Sequence, residues 1–429
     1  MLSPPEADLV RRDRALPGLA TVLDPEALLA ALAPDLATAE IRSASVRYVR
    51  YKPHTNCLAA YRLELDAPPR LVDLHAKAHR PDAPEKIDKG RRRPHVPGQL
   101  GPGRIVLEDR ALVVWAFPND PHLRAMRRLE DGSARSTLLH TVLPDRPDLW
   151  AGTLAPLRYK PERRYVGRLD TASGPQAVLK VHAAPRYEGA VRGAASIRSS
   201  GSLRVPRLLG RADAHRLVAL EWLPGRLLGE ALGDGGASCA AVAAVGAALG
   251  ELHGQRSVGV SPVEPGAEAA GLLGLARDIA FLCPELARRA HDLAGWLVAR
   301  LREHGTESQP IHGDFSADQV LLTDDGVAIF DLDRAALGDP AADFGTFAAH
   351  LEREALRGRL SPKQASALRA ALLDGYRGST QRQAPSGVDL YTAIALFRLV
   401  PEPFRALESD WPERMAAVLE QAAAVAAAA

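Results

Sequence analysis

Two hydrophobic patterns divide the chain. Up to about residue 225, short apolar runs are separated by turns containing Pro or Gly, as in Leu112-Val113-Val114-Trp115 and Ala177-Val178-Leu179-Lys180-Val181. Such runs predict strands. After Leu223 the spacing becomes helical. Residues 240–253 predict a helix stopped by Gly254, and residues 284–304 predict another, with Pro284 in the first turn and Gly305 just past the end. In the second, Leu286, Ala290, Leu293, Leu297 and Leu301 share one face. Residues 345–354, 362–376, 390–399 and 412–425 are amphipathic in the same way, and residues 82–103, rich in Pro, Gly, Arg and Lys, predict a loop or lid.

The strand-rich part repeats itself. Arg50-Tyr51-Lys52-Pro53 returns as Arg158-Tyr159-Lys160-Pro161, and Lys77-Ala78-His79 returns as Lys180-Val181-His182. Between these marks each copy has an apolar run, an Asp (Asp66, Asp170) and a turn containing Pro, and each copy later ends an apolar run at a Trp, Trp115 or Trp222. The expectation is two copies of one antiparallel unit, at 42–125 and 152–225, with Lys77 and Lys180 equivalent.

Charge sharpens the division. The net charge of the whole chain is only +2, which gives no reason to expect nucleic acid as a partner. Residues 1–220 carry 36 Lys and Arg against 24 Asp and Glu, and the remainder carries 18 against 28. A basic half suits phosphates, and an acidic half suits a metal or a cationic substrate. The three cysteines, Cys57, Cys239 and Cys283, are far apart and lack metal-ligand spacing, so reduced thiols are expected. No signal-like stretch opens the sequence, and no run of about 18 apolar residues occurs to cross a bilayer. A cytoplasmic protein without membrane contact is expected.

Candidate chemistry is concentrated between Ile311 and Asp333. Two apolar runs flank Asp324-Asp325-Gly326, a hairpin signal. Pairing about that turn places Gln319 opposite Asp331, with Asp314 five residues earlier on the loop leading in. Magnesium takes hard oxygen ligands and leaves positions for water and phosphate. Phosphoryl transfer also needs a carboxylate to orient the attacking hydroxyl and accept its proton. Asp331 and Gln319 are therefore the candidate metal ligands and Asp314 the candidate catalytic base.

His312-Gly313-Asp314, Asp331-Leu332-Asp333 and Gly338-Asp339-Pro340-Ala341-Ala342-Asp343 together resemble the aminoglycoside phosphotransferase and choline kinase-like family, relatives of the protein kinases. The resemblance covers residues 152–376. It implies an α+β, protein kinase-like bilobal fold with a small β-rich N-lobe and a mostly helical C-lobe. Residues 1–150 would add a cap resembling a duplicated N-lobe, residues 151–225 the N-lobe, and residues 226–429 the C-lobe. It also implies that Lys180 pairs with ATP phosphates and that Glu188, the sole acid between Lys180 and Asp213, partners the lysine. Glu221 and Leu223 resemble the hinge that reads adenine, residues 249–253 resemble the helix before the catalytic loop, and His312, Asp333, Asp339 and Asp343 support the site.

Two features depart from the family pattern. Gln319 stands where most members have Asn, which resembles the bacterial maltokinase and glucosamine kinase branch. No glycine-rich loop precedes Lys180, and the turn there is Lys160-Pro161-Glu162-Arg163-Arg164. The implied activity is ATP- and Mg2+-dependent transfer of a phosphoryl group to a hydroxyl of an aminoglycoside, amino sugar or sugar. The alternative is a non-catalytic, nucleotide-binding kinase-like scaffold or regulatory protein.

Overall fold

The computed structural model describes all residues except 37–40, 67–68, 99, 237, 257–258, 306–307 and 381–382. The chain divides into two compact units. One comprises residues 1–184, 211–217 and 401–413; the other comprises residues 185–210, 218–400 and 414–429.

Five strands, β1 (Ile41–Lys52), β2 (Asn56–Asp66), β3 (Pro69–His79), β4 (Arg104–Leu107) and β5 (Leu112–Ala116), form a sheet in the order β1-β2-β3-β5-β4. Next come β6 (Thr153–Lys160), β7 (Arg164–Thr171), β8 (Gly174–His182), β9 (Leu203–Arg204), β10 (Leu208–Ala212) and β11 (Leu217–Glu221). Without β9 these make a second sheet, β6-β7-β8-β11-β10. The order is first, second, third, fifth, fourth in both, as the repeat predicts.

The two copies agree in finer detail. Each first strand shifts register near its middle, between Val46 and Tyr48 and between Pro156 and Arg158. Each first hairpin carries a left-handed residue, His54 (φ 56°) or Glu162 (φ 57°). Each fourth-to-fifth connection is a short 3-10 turn ending in a left-handed residue, Ala111 or Arg216. In each, the third-strand histidine donates its backbone N–H to that residue's carbonyl at 2.9 Å, His79 to Ala111 and His182 to Arg216. Lys77 and Lys180 lie two residues before those histidines, on equivalent strands.

Lys77 is engaged within the first unit. Its Nζ donates to both carboxylate oxygens of Glu162, at 2.9 and 2.7 Å, and Arg50 donates to Oε2 at 2.5 Å. The Glu162 N–H donates to Asp120 Oδ2 at 2.8 Å, and the same oxygen accepts from the Tyr159 hydroxyl at 3.0 Å. The hairpin apex of the second copy is thus tied to the third strand of the first. Burial alone would raise the Glu162 pKa, but the charge and hydrogen bond of Lys77 together with the charges of His75 and His122 outweigh it and hold the carboxyl down at about 2.

Helices cover the first sheet where the sequence reading expected none. Pro4–Arg12, Leu19–Leu23 and Pro25–Leu32 bury Leu9, Leu19, Leu23, Leu28 and Leu32. Asp24 caps the third by accepting from the N–H groups of Glu26 and Ala27. The stretch expected as a loop, 82–103, contains the helix Pro84–Arg92, whose Ile87 belongs to a buried cluster with Val113 and Trp115.

The second unit is mainly helical, as predicted. Ser238 caps the helix Cys239–His253, which packs along Pro362–Thr380. A Cβ on Gly375 would stand 1.8 Å from the Ala243 carbonyl oxygen, so glycine there permits the close approach. Pro284–Leu286 forms a 3-10 turn before the helix Ala287–Glu303, whose inward face includes Ala290, Leu293, Leu297 and Leu301. Pro265–Leu282, Ala341–Leu356 and Val388–Leu399 complete the long helices of this unit together with Ala184–Ser196, whose first residue falls in the other unit, and Trp411–Ala428, whose first three do. Among the described residues, no helix is long and apolar enough to cross a membrane.

Candidate active site

The central segment of the second unit is built from nested hairpins. After β12 (Arg226–Leu227) come β13 (Gln309–Ile311), β14 (Val320–Thr323), β15 (Gly326–Ile329) and β16 (Ala336–Gly338). β14 and β15 pair antiparallel in a sheet ordered β12-β14-β15-β9, and β13 pairs antiparallel with β16. Two loops therefore run between the two ladders: 312–319, carrying Asp314, and 330–335, carrying Asp331.

The register corrects one expectation. Thr323 pairs with Gly326 and Val320 with Ile329, so the turn is Asp324-Asp325 alone. Gly326 already belongs to the return strand, with φ at +136°, a value that side chains resist. The Phe330 N–H donates to the Gln319 carbonyl at 3.0 Å, which sets Phe330, not Asp331, against Gln319. Asp331 follows one residue later in a left-handed conformation (φ 68°, ψ 42°).

Asp343 anchors the first loop. Fully buried in the first turn of Ala341–Leu356, it accepts the backbone N–H of His312 at 2.7 Å and of Gly313 at 2.9 Å. Its Oδ2 also lies 3.1 Å from His253 Nε2, and His253 Nδ1 is 3.4 Å from the Tyr376 hydroxyl. Burial would raise the Asp343 pKa, but the hydrogen bond and charge of His253 and the His312 N–H bring it below the ordinary carboxylate value. His312 then joins the two loops. Its Nδ1 accepts the Asp314 N–H at 3.3 Å, and its Nε2, carrying the proton in that tautomer, donates to the Phe330 carbonyl at 2.9 Å. Gly313, with φ at +77°, lies so close to the Arg334 carbonyl that a Cβ would stand 2.4 Å from its oxygen.

The remaining expected residues take varied settings. The Asp314 side chain is 48% exposed, with Arg334 Nη1 3.5 Å from its Oδ1. Gln319 Oε1 accepts from the Ser316 hydroxyl at 2.8 Å. Asp339 is buried, accepting the Ala341 N–H at 2.8 Å and lying 3.0 Å from His304 Nε2. Asp333 is half-buried beside Asp331. The helix Ala184–Ser196 packs on this loop: a Cβ at Gly193 would stand 1.9 Å from the Leu332 carbonyl oxygen. Glu188 lies on that helix with its side chain exposed. Lys180 is buried on β8, opposite Val166 of β7, in the first unit. Glu221 ends β11, where its carboxylate receives Arg207 through Nε at 2.9 Å and Nη2 at 3.1 Å, and Leu223 follows half-buried.

Sequence reading missed three contributors: His253, which it placed on a helix without a role; Arg334; and Gly193. Their order within local motifs gives no signal, because each acts across the fold. A cavity of about 740 Å³ opens beside Gly313 and Arg334, walled also by Asp339, Glu268, Tyr391 and Arg398.

The family model described as the phosphotransferase enzyme family matches residues 157–386. No curated protein is similar to the chain in sequence. Among solved structures, a putative aminoglycoside phosphotransferase from Ralstonia eutropha is similar at 18% identity and TM-score 0.50, over 70% of this chain and 98% of that one. A choline kinase from Cryptosporidium parvum aligns at 11% identity and TM-score 0.48, over 69% and 95%. A choline/ethanolamine kinase family protein from Mesorhizobium loti aligns at 18% identity and TM-score 0.45, over 69% and 94%.

Proposed function

Because the chain belongs to the phosphotransferase enzyme family, whose members act as small-molecule kinases, we propose that it moves the terminal phosphoryl of ATP to a hydroxyl of a small polyhydroxylated acceptor. The observation that carries this reading is the joined pair of loops: His312 bonds both to the Asp314 N–H and to the carbonyl just before Asp331. One buried carboxylate, Asp343, fixes the start of the Asp314 loop. Phosphoryl transfer depends on positioning and charge neutralisation, so a pinned base loop is what the reaction needs.

Asp314 orients the acceptor hydroxyl and takes its proton as the oxygen attacks. Its half-exposed carboxylate lies 3.5 Å from Arg334, and the cavity lined by Arg334 and by the neighbouring Gly313 is where the acceptor would enter. Asp331 and Gln319 would hold magnesium, and their donor set fits: both offer hard oxygens, and Gln319 Oε1 keeps a second lone pair besides the one taken by Ser316. Among the described residues no group of three His, Cys, Asp or Glu could hold a metal ion, and magnesium does not require one because it takes one or two protein ligands and fills the rest with phosphate and water. When bound, the ion neutralises charge on the phosphates. By the family pattern Lys180 is the lysine for the phosphates, Glu188 the acid assigned to it, and the backbone at Glu221 and Leu223 the reader of the base. Asp333 supports the Asp331 loop, and Asp339, bonded to the Ala341 N–H, holds the start of the helix that carries Asp343.

The test is Asp314. Asp314→Ala and Asp314→Asn should each lower turnover by at least about a hundredfold, the scale of a positioned acid or base, with Mg-ATP affinity nearly unchanged. Turnover near the wild-type rate in both variants would make Asp314 structural and refute the mechanism.

A further inference from the structure

Resting on the reading that the cavity beside Asp314 receives the acceptor, we propose that it takes a neutral or singly cationic sugar, and that Arg398 is the residue that turns polycations away. The cavity is walled by the helices Pro265–Leu282 and Val388–Leu399 and by residues of β13 and β16. A site that holds several ammonium groups needs several carboxylates free to meet them. This wall does not provide them.

Among the described lining residues the carboxylates are Glu264, Glu268 and Asp339, and the guanidinium groups are Arg302, Arg334 and Arg398, so the formal charges of the wall cancel. Glu268, with 13% of its side chain exposed, already holds Arg398 Nη2 at 2.6 Å. Asp339 has one oxygen on the Ala341 N–H and the other on His304. Glu264 alone stands exposed, at the rim, where one ammonium could reach it.

The rest of the wall suits a sugar. Val263, Leu337, Ile394 and the Tyr391 ring offer apolar surface to the faces of a pyranose. A cavity of about 740 Å³ lies within the ordinary range for small-molecule sites of roughly 300–1,000 Å³. A polycation entering here would find Glu268 already taken by Arg398 and would bring like charge against that guanidinium, and such repulsion is how sites reject wrong partners. Arg398 is decisive because it both neutralises the most buried glutamate of the wall and adds a positive charge of its own.

The test is calorimetric titration in the presence of Mg-nucleotide, with glucose, glucosamine and maltose as sugar probes and kanamycin as the polycation. The proteins are wild type, Arg398→Gln, Arg398→Gln/Glu268→Gln and Ile394→Trp. Wild type should bind at least one sugar about tenfold or more tighter than kanamycin. Arg398→Gln should gain about tenfold for kanamycin, near 1.4 kcal/mol, with sugar affinity changed less than threefold, and the double variant should lose the gain. The proposal is overturned if wild type binds kanamycin more tightly than every sugar, or if Arg398→Gln leaves kanamycin affinity unchanged; if no sugar binds, the second criterion alone decides. Binding needs no phosphoryl transfer, so an inactive protein does not confuse the result. If a sugar is turned over but Ile394→Trp changes neither its binding nor its turnover, the acceptor enters elsewhere, and it is the location that fails.

Discussion

Glutamine at position 162 would keep the shape of the side chain and remove its charge, leaving Lys77 and Arg50 facing a neutral amide in a buried setting. The carboxylate is 7% exposed and contacts both cations at 2.5–2.9 Å. Breaking one side of a buried ion pair costs on the order of 3–5 kcal/mol. The depressed pKa points the same way: a fall from 4.5 to about 2, at about 1.4 kcal/mol per unit, amounts to roughly 3 kcal/mol. The sign follows from the direction. A depressed folded-state pKa adds stability that is fully present above the unfolded value, near 4.5, and is lost as pH falls through about 2. Urea unfolding of Glu162→Gln, followed by a probe in the first unit, should therefore show a loss of about 3 kcal/mol at pH 7. Below pH 4.5 wild type should lose stability faster than the variant, so that the gap narrows. Lys77→Met/Glu162→Gln should recover part of the loss, because the pair is then removed together. A variant destabilised by under about 0.5 kcal/mol at pH 7, or equally at pH 7 and pH 3, would show that the cluster does not hold the two copies together.

The other expectations concern the loops. Asp331→Asn should abolish turnover and weaken Mg-ATP binding measured by titration, whereas Gln319→Asn should keep partial activity because the amide oxygen survives; normal turnover in Asp331→Asn would remove it from the metal site. Asp343→Asn keeps one acceptor oxygen where the carboxylate had two for the N–H groups of His312 and Gly313, so turnover should fall about tenfold or more while Mg-ATP affinity holds; unchanged kcat would deny that the clamp matters.

The candidate-site motifs stood out because residues 311–343 lie in one stretch whose polar positions interrupt an otherwise apolar hairpin. The duplication was readable because the same tetrapeptide and the same Lys-x-His occupy the same places in both copies. Register failed by one residue: Gly326 could serve as the third turn residue or the first strand residue, and its positive φ is satisfied either way. The three N-terminal helices are short, five to nine residues each, and too brief to display a period. Glu162 read as one acid in a basic turn, since its partner Lys77 is 85 residues away. His253 lies 90 residues before Asp343 for the same reason. Contacts set by the tertiary fold leave no local mark.

The nested ladders of the candidate-site segment also bear on how the chain folds. β14 closes on β15 across a two-residue turn, and β13 then meets β16 outside them, so two ladders of the segment from Gln309 to Gly338 are internal to it, while β12, β9 and Pro262 add to its outer edges. The entropy of closing a loop grows slowly with its length and is smallest for nested local pairs. This part of the molecule can therefore zip from its own turn outward without waiting for distant chain to arrive, as low-contact-order structure does. Asp343 follows five residues after the last strand and accepts from the start of the same segment. Only His253 must come from far along the chain to complete the anchor, so the order of assembly places the loops before their deepest support.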